Sequence, residues 1–250
     1  MRSANQWAVQ GCQGEDLKTI VLDEIPFALD IDDLQGRLHL AYNSDSAREF
    51  RELADEAQHL ARPKALFREC YIEYRGVDGV TLGTVTFRSP ALRAHLDQVE
   101  RVFPYVATCG REIDNLVVPA GDFLRQYWLD AIKAALLECS RSYLRTHLEV
   151  TYALGKTSSM HPGSGDAIVW PIEQQSQLFS LLGDVEGQIG VTLTGSFLMI
   201  PIKSISGILF PTETSFQSCQ LCHREDCPSR KAQFDEHLWQ SVLGAAGPDG

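Results

Sequence analysis

Helix-like and strand-like runs are interspersed along this chain without the even strand–helix–strand spacing that builds a parallel sheet. That order points to an α+β fold: a single curved domain with a largely antiparallel twisted sheet and flanking helices. Residues 17–31 read as an extended segment. SDSAREFRELADEAQHLA reads as a helix, with Ser44, Asp45 or Ser46 able to cap it, Phe50, Leu53, Ala57 and Leu60 on one face, and Pro63 as its stop. Residues 65–74 and 80–87 are rich in β-branched and aromatic side chains. The Gly76-Val77-Asp78-Gly79 stretch between them suits a turn, so they read as two paired strands. Ser89 and Pro90 open a second helix that runs to about residue 100. FPYVATCG is a short apolar strand that ends on Cys109 and Gly110. The longest helix is expected over 119–148, with Leu124, Trp128, Ala131 and Ala135 as its buried stripe. After a loop at 153–170, Pro171 starts another helix and Gly183 ends it. VTLTGSFLMIPI and SGILF read as strands. FDEHLWQSVL reads as a closing helix ahead of a Gly/Pro-rich tail.

A chain of 250 residues, 44% of them hydrophobic, can bury a sizeable core, and no linker-like stretch divides it. Its 22 basic residues face 33 acidic ones, a net charge of −11, which argues against a nucleic-acid backbone as partner. No run reaches the roughly 18 apolar residues of a membrane span, and the first 20 residues hold no apolar core of signal-peptide length. The expected location is the cytoplasm, where clustered cysteines are metal ligands or redox groups before they are disulfides.

The stretch from Ser158 to Pro211 carries a more specific message. It runs SSMHPGSG, then WPIEQQSQLFSLL, then IGVTLTGS, a proline and SISG. This ordered series resembles the activation (reactivation) domain of vitamin B12-dependent methionine synthase. It is closer still to free-standing relatives of that domain in corrinoid metabolism. Weaker similarity reaches back through TCGREID and the long helix, so about half the chain is covered. The resemblance divides the chain into an N-terminal α/β part (1–104), the part most like the family (105–211), a cysteine segment (212–234) and a terminal helix and tail (235–250). It implies a module that docks on a cobalamin-carrying protein, or on a methionine synthase without its own activation domain. There it helps return cob(II)alamin to the methylated state, with an electron donor and S-adenosylmethionine as methyl source. That role is positioning rather than acid–base chemistry.

Carried over by position, the family's Pro-Gly turn falls on Pro162 and Gly163, where glycine permits close backbone approach to a ligand. Ser164 follows it and His161 precedes it. Lys203 and Ser204, at a strand end in IPIKSISG, are the other candidates for contact with a cofactor. Three positions depart from the family. The arginine three residues before the proline is Ser159, the tyrosine after the glycine is Ser164, and the aromatic two residues after the SxSG motif is Leu209.

Seven cysteines are present, and three of them, Cys219, Cys222 and Cys227, fall within nine residues as C-x2-C-x4-C followed by Pro228. Thiolates at that density suit Zn or an iron–sulfur cluster, and both usually take four ligands. Cys109, at the end of its strand, is the first candidate for the fourth, with His223 an alternative. Cys139 and Cys70 read as core or strand residues and Cys12 as part of a tail or loop. A [4Fe-4S] cluster fits the need of cob(II)alamin for a low-potential electron, and a structural Zn knuckle stays open beside it. Asp166 and Trp170 frame the Pro-Gly loop, with Trp170 as a core anchor, and Glu112 and Asp114 read as helix caps. The chain contains no Ser/His/Asp order, phosphate loop or dinucleotide glycine fingerprint. Alternatives to electron-assisted reactivation are an S-adenosylmethionine-dependent reactivator with Zn and a non-enzymatic corrinoid-binding module.

Overall fold

The computed structural model describes residues 18–213, 216–227 and 230–244. Its strands are β1 (Ile20–Leu22), β2 (Lys64–Phe67), β3 (Cys70–Arg75), β4 (Gly79–Leu82), β5 (Val85–Arg88), β6 (Arg101–Thr108), β7 (Thr157–Met160), β8 (Thr192–Leu193), β9 (Met199–Ile200) and β10 (Ser204–Pro211). Its helices are α1 (Ile31–Arg37), α2 (Asp45–Leu60), α3 (Pro90–His95), α4 (Phe123–Thr151), α5 (Gln175–Leu182), α6 (Val185–Ile189) and α7 (Glu236–Leu243). The fold is α+β with an antiparallel sheet of eight strands, and β8 and β9 form a separate small hairpin.

The apolar run VFPYVA makes β6 the centre of the sheet, because it can be covered on both faces. Val102 and Val106 point into one core layer; Phe103, Tyr105 and Ala107 point into the other. One edge of β6 pairs with β10, which pairs in turn with β7. The other edge is shared by β2 and β3 in succession. Pro104 explains the break between them. It has no N–H to donate, so a continuous partner would lose a ladder bond opposite it. β2 ends at Phe67, β3 begins at Cys70, and Arg68 N–H still donates to the Pro104 carbonyl at 3.0 Å. The expected single strand at 65–74 is therefore two. The 80–87 run is also two strands, β4 and β5, folded at Gly83 with φ +57°.

α2 begins where expected, with Ser44 Oγ accepting from Ala47 N–H at 3.1 Å. Ser89 caps α3, accepting from Leu92 N–H and donating to the Val169 carbonyl at 2.6 Å. That helix stops at His95 rather than near residue 100. α4 differs more. Leu124 is 50% exposed, and the fully buried series is Trp128, Ile132, Leu136, Ser140, Leu144 and Leu148. A step of four residues overshoots one helical turn by about 40°, so five steps turn the buried face by roughly 200°. The N-terminal half of α4 packs on α2, Phe50 meeting Trp128 edge-on at 6.0 Å. The C-terminal half lies on the sheet beside Phe67, Phe103 and Tyr105. A helix that changes partner along its length shows no fixed stripe.

Three elements are absent from the sequence reading: α1 and α6, and β7 inside the expected loop at 153–170. The long VTLTGSFLMIPI strand is instead the β8–β9 hairpin. α5 ends on Gly183 with φ +87°, as expected. The opposite face of the sheet is covered by α3, α5, α6 and α7, with Phe216, Leu221 and Leu243 of the C-terminal region buried in the same cluster as Trp170 and Ile208. Cys12, Pro228 and the 245–250 tail lie outside the described residues.

Candidate functional site

β7, β10, α4 and the cysteine segment enclose a cleft of about 400 Å³. Ser159 and Thr157 reach it from β7, Ile205 from β10, and Leu137, Arg141 and Arg145 from α4. His161 and Ser164 contribute from the turn, and Cys219 and Lys231 from the C-terminal segment. A larger hollow of about 630 Å³ lies between α1 and α4, lined mainly by Leu29, Leu34, Ala131 and Ala135. The smaller cleft is the better candidate, because polar side chains converge on it.

The Pro-Gly turn is built as its residues require. Pro162 is buried, and Gly163 has φ +74° with its N–H donating to the Trp170 carbonyl at 2.8 Å. A Cβ on Gly163 would come within 2.9 Å of Ile172. Ser164 N–H closes the turn on the His161 carbonyl at 3.2 Å. Trp170 is fully buried, edge-on to Phe87 at 5.8 Å, which matches its expected anchoring role.

His161 sits within a chain of hydrogen bonds. The Ser206 carbonyl, 2.9 Å from Nδ1, can only accept, so Nδ1 carries the proton. Nε2 then accepts from Ser159 Oγ at 3.2 Å. Tyr105 hydrogen-bonds Ser159 in turn, and burial pushes its phenol up to about 12. Burial pushes His161 down to about 4 against the opposing Ser206 carbonyl, helped by the charges of Arg141, Arg145 and Lys231. The imidazole is neutral at pH 7. On α4, burial acts to raise Glu138, but the Arg141 guanidinium wins, gripping it at 2.7 and 3.0 Å and holding the carboxyl below its usual range.

The remaining candidates fall elsewhere. Lys203 pairs with Asp130 at 2.9 Å, and Ser204 Oγ lies 2.9 Å from Thr108 Oγ1 and 2.7 Å from the Pro201 carbonyl. Neither lines the cleft. Glu112 and Asp114 pair with Lys64 and Lys133 rather than capping a helix.

Cys219, Cys222 and Cys227 are all half-buried free thiols. Arg230 organises their segment. Its Nη1 donates to the carbonyls of Cys219 and Ala232, and its Nη2 to those of Cys222 and Arg224. His223 ties the segment to the turn, its Nδ1 2.6 Å from Asp166 Oδ2 and its ring against Phe234 and Trp239. Cys109 is fully buried between α2 and α4 in a different core cluster, its thiol pushed up to about 11 by burial. The structure does not bring it to the other three. Among the described residues, no three His, Cys, Asp or Glu side chains are grouped as a metal-binding set.

Sequence reasoning missed Glu138, Arg141 and Arg145. Their spacing of three and four along a helix is visible, but it is also that of any solvated charged face. Lys231 and Arg230 carried no motif. Their roles depend on how the C-terminal segment folds back.

Comparison with known proteins supports the resemblance. Residues 155–229 match the family model described as vitamin B12 dependent methionine synthase, activation domain. The fold is similar to a solved structure described as the MetH reactivation domain bound to AdoHcy, with a TM-score of 0.55 and 16% identity, covering 94% of this chain and 91% of that one. No curated protein matches the chain. Among the described residues, no helix is long and apolar enough to cross a membrane.

Proposed function

We propose that this chain is a reactivation module for corrinoid-dependent methyl transfer of the methionine synthase type. It docks on a separate cobalamin-binding protein, or on a methionine synthase without its own activation domain, and supports reductive return of cob(II)alamin to the active state. One observation carries this reading: the residues matched by the activation-domain family, 155–229, form one wall of the polar cleft through β7, the His161–Ser164 turn and residues 216–219. The work assigned to the chain is positional. The Pro162–Gly163 turn, its N–H groups spent on the Trp170 and His161 carbonyls, sets His161 and Ser164 at the cleft, and the Tyr105–Ser159–His161 chain braces the cleft wall. α4 and the cysteine segment form the remaining walls of the cleft.

The MetH reactivation domain of the solved structure holds AdoHcy, and an adenosyl amino acid is the candidate ligand here. S-adenosylmethionine would supply the methyl group once an external donor has reduced the cobalt. The test is spectroscopic. A cobalamin-binding partner in the cob(II)alamin state is mixed with the protein, an electron source and S-adenosylmethionine. The expected outcome is loss of the cob(II)alamin absorbance band, faster than without the protein. An unchanged cobalt oxidation state would favour the non-enzymatic corrinoid-binding module.

A second reading concerns Cys219, Cys222 and Cys227, the residues that sequence spacing offers to a [4Fe-4S] cluster or Zn. Their placement does not group them, so no step above passes through a metal held by this chain. Anaerobic purification with iron, sulfide, zinc and EPR analysis addresses the point. A brown protein whose EPR signal is lost in Cys222→Ser makes the segment an electron relay. A colourless protein with one Zn makes it a structural knuckle.

A further inference from the structure

The charge of the cleft runs against the charge of the chain. The protein carries a net charge of −11. The cleft, however, is lined by three cations, Arg141, Arg145 and Lys231, and by one carboxylate, Glu138. Glu138 is already engaged by Arg141 in a two-point contact. Arg145 and Lys231 form no close ion pair among the described residues, although the Lys231 charge acts on Glu138 from a distance, whereas Lys64, Arg75, Lys133 and Lys203 each reach a carboxylate. The two free cations arrive from separate elements, α4 and the segment after the cysteines, and meet at one concave surface. Ser164 and Ser218 line the same cleft, while the Ser159 hydroxyl is already donated to His161. The neutral His161 ring adds no charge of its own.

Two cations with no ion pair of their own, and with only the already engaged Glu138 beside them, repel each other in this recess, and an anion between them relieves that repulsion. Charge-assisted hydrogen bonds to a shared oxyanion are among the strongest polar contacts available to side chains. We propose that Arg145 and Lys231 form an oxyanion site that takes the carboxylate or phosphate group of a small metabolite. This deepens the reading of the cleft as the ligand site of a reactivation module, and rests on it for the choice of adenosyl ligand alone. With an adenosyl amino acid the anchored group is the α-carboxylate. The same two charges oppose a sulfonium, so AdoHcy binds more tightly than S-adenosylmethionine, which carries one more positive charge.

Calorimetry on the full chain at low ionic strength tests the site, with inorganic pyrophosphate, AdoHcy and S-adenosylmethionine as probes. The expected result is binding of pyrophosphate and AdoHcy in mutual competition, weakening as salt is raised. Arg145→Ala and Lys231→Ala each weaken both by about tenfold, the loss of one charge-assisted bond. Arg145→Lys recovers part of the affinity, and near-UV circular dichroism confirms that each variant is folded. Pyrophosphate binding that depends on Arg145 and Lys231, without any AdoHcy binding, upholds the oxyanion site and removes the adenosyl reading. AdoHcy binding that ignores both substitutions and is not displaced by pyrophosphate overturns the oxyanion site and leaves the adenosyl reading intact. No binding by any probe overturns both.

Discussion

At the residue scale, two histidines carry the clearest chemical signature of burial. Burial pushes His161 down to about 4, against the Ser206 carbonyl, and burial alone pushes His95 to about 4. His95 lies against Phe216 with ring centroids 3.8 Å apart, and its Nε2 has no partner. In the unfolded chain both titrate near 6.5. Between pH 6.5 and 4 the unfolded state therefore binds more protons, and stability falls as pH drops through that window. The expected loss is roughly 1–3 kcal/mol per histidine, read as a falling urea midpoint. His95→Phe should flatten part of the slope; a midpoint constant from pH 6.5 to 4 would contradict the assignment. Nothing in the sequence distinguishes His95 from the exposed histidines. His161 was legible as a candidate only through the Pro-Gly turn beside it, and its partner Ser159 only as a departure from the family's arginine. Ser159 turns out to be the hydroxyl that satisfies the His161 ring.

At the scale of elements, the C-terminal segment depends on one side chain. Arg230 holds four carbonyls, of Cys219, Cys222, Arg224 and Ala232, with a planar fork that an ammonium cannot reproduce. Arg230→Lys should therefore leave the segment loosened, with new cleavage within 216–244 in limited proteolysis and faster labelling of Cys219 and Cys222. Cleavage and labelling identical to the parent protein would show that the thiols or a bound metal hold the segment instead. The strands carry a parallel lesson. The break between β2 and β3 was present in the sequence as Pro104, thirty-odd residues from the strands it interrupts. It could be understood only after β6 was placed opposite them. β7 was hidden because TSSM is too short and polar to read as a strand; it exists because β10 offers it a free edge.

At the scale of the whole molecule, the sheet divides the core into layers, and the candidate cleft lies where α4 crosses from its helical partners to the sheet. That crossing decides which α4 residues are functional. Glu138 and Arg141 sit between the half of the helix packed on α2 and the half packed on β6, and Arg145 follows within the second half. The same architecture separates Cys109, in the helical layer, from Cys219, which lines the cleft beside β7 and β10. The sequence by itself determined the α+β class, the helix starts at 44–46 and at Ser89-Pro90, the Pro-Gly turn, the closing glycine of α5 and the activation-domain resemblance. Each is written in local spacing or in an ordered run of residues. Tertiary structure alone decided the cleft, its surplus of positive charge, the rotation of the buried face of α4 and the isolation of Cys109. These depend on residues far apart in the chain meeting in space, and local propensity holds no information about who the neighbour will be.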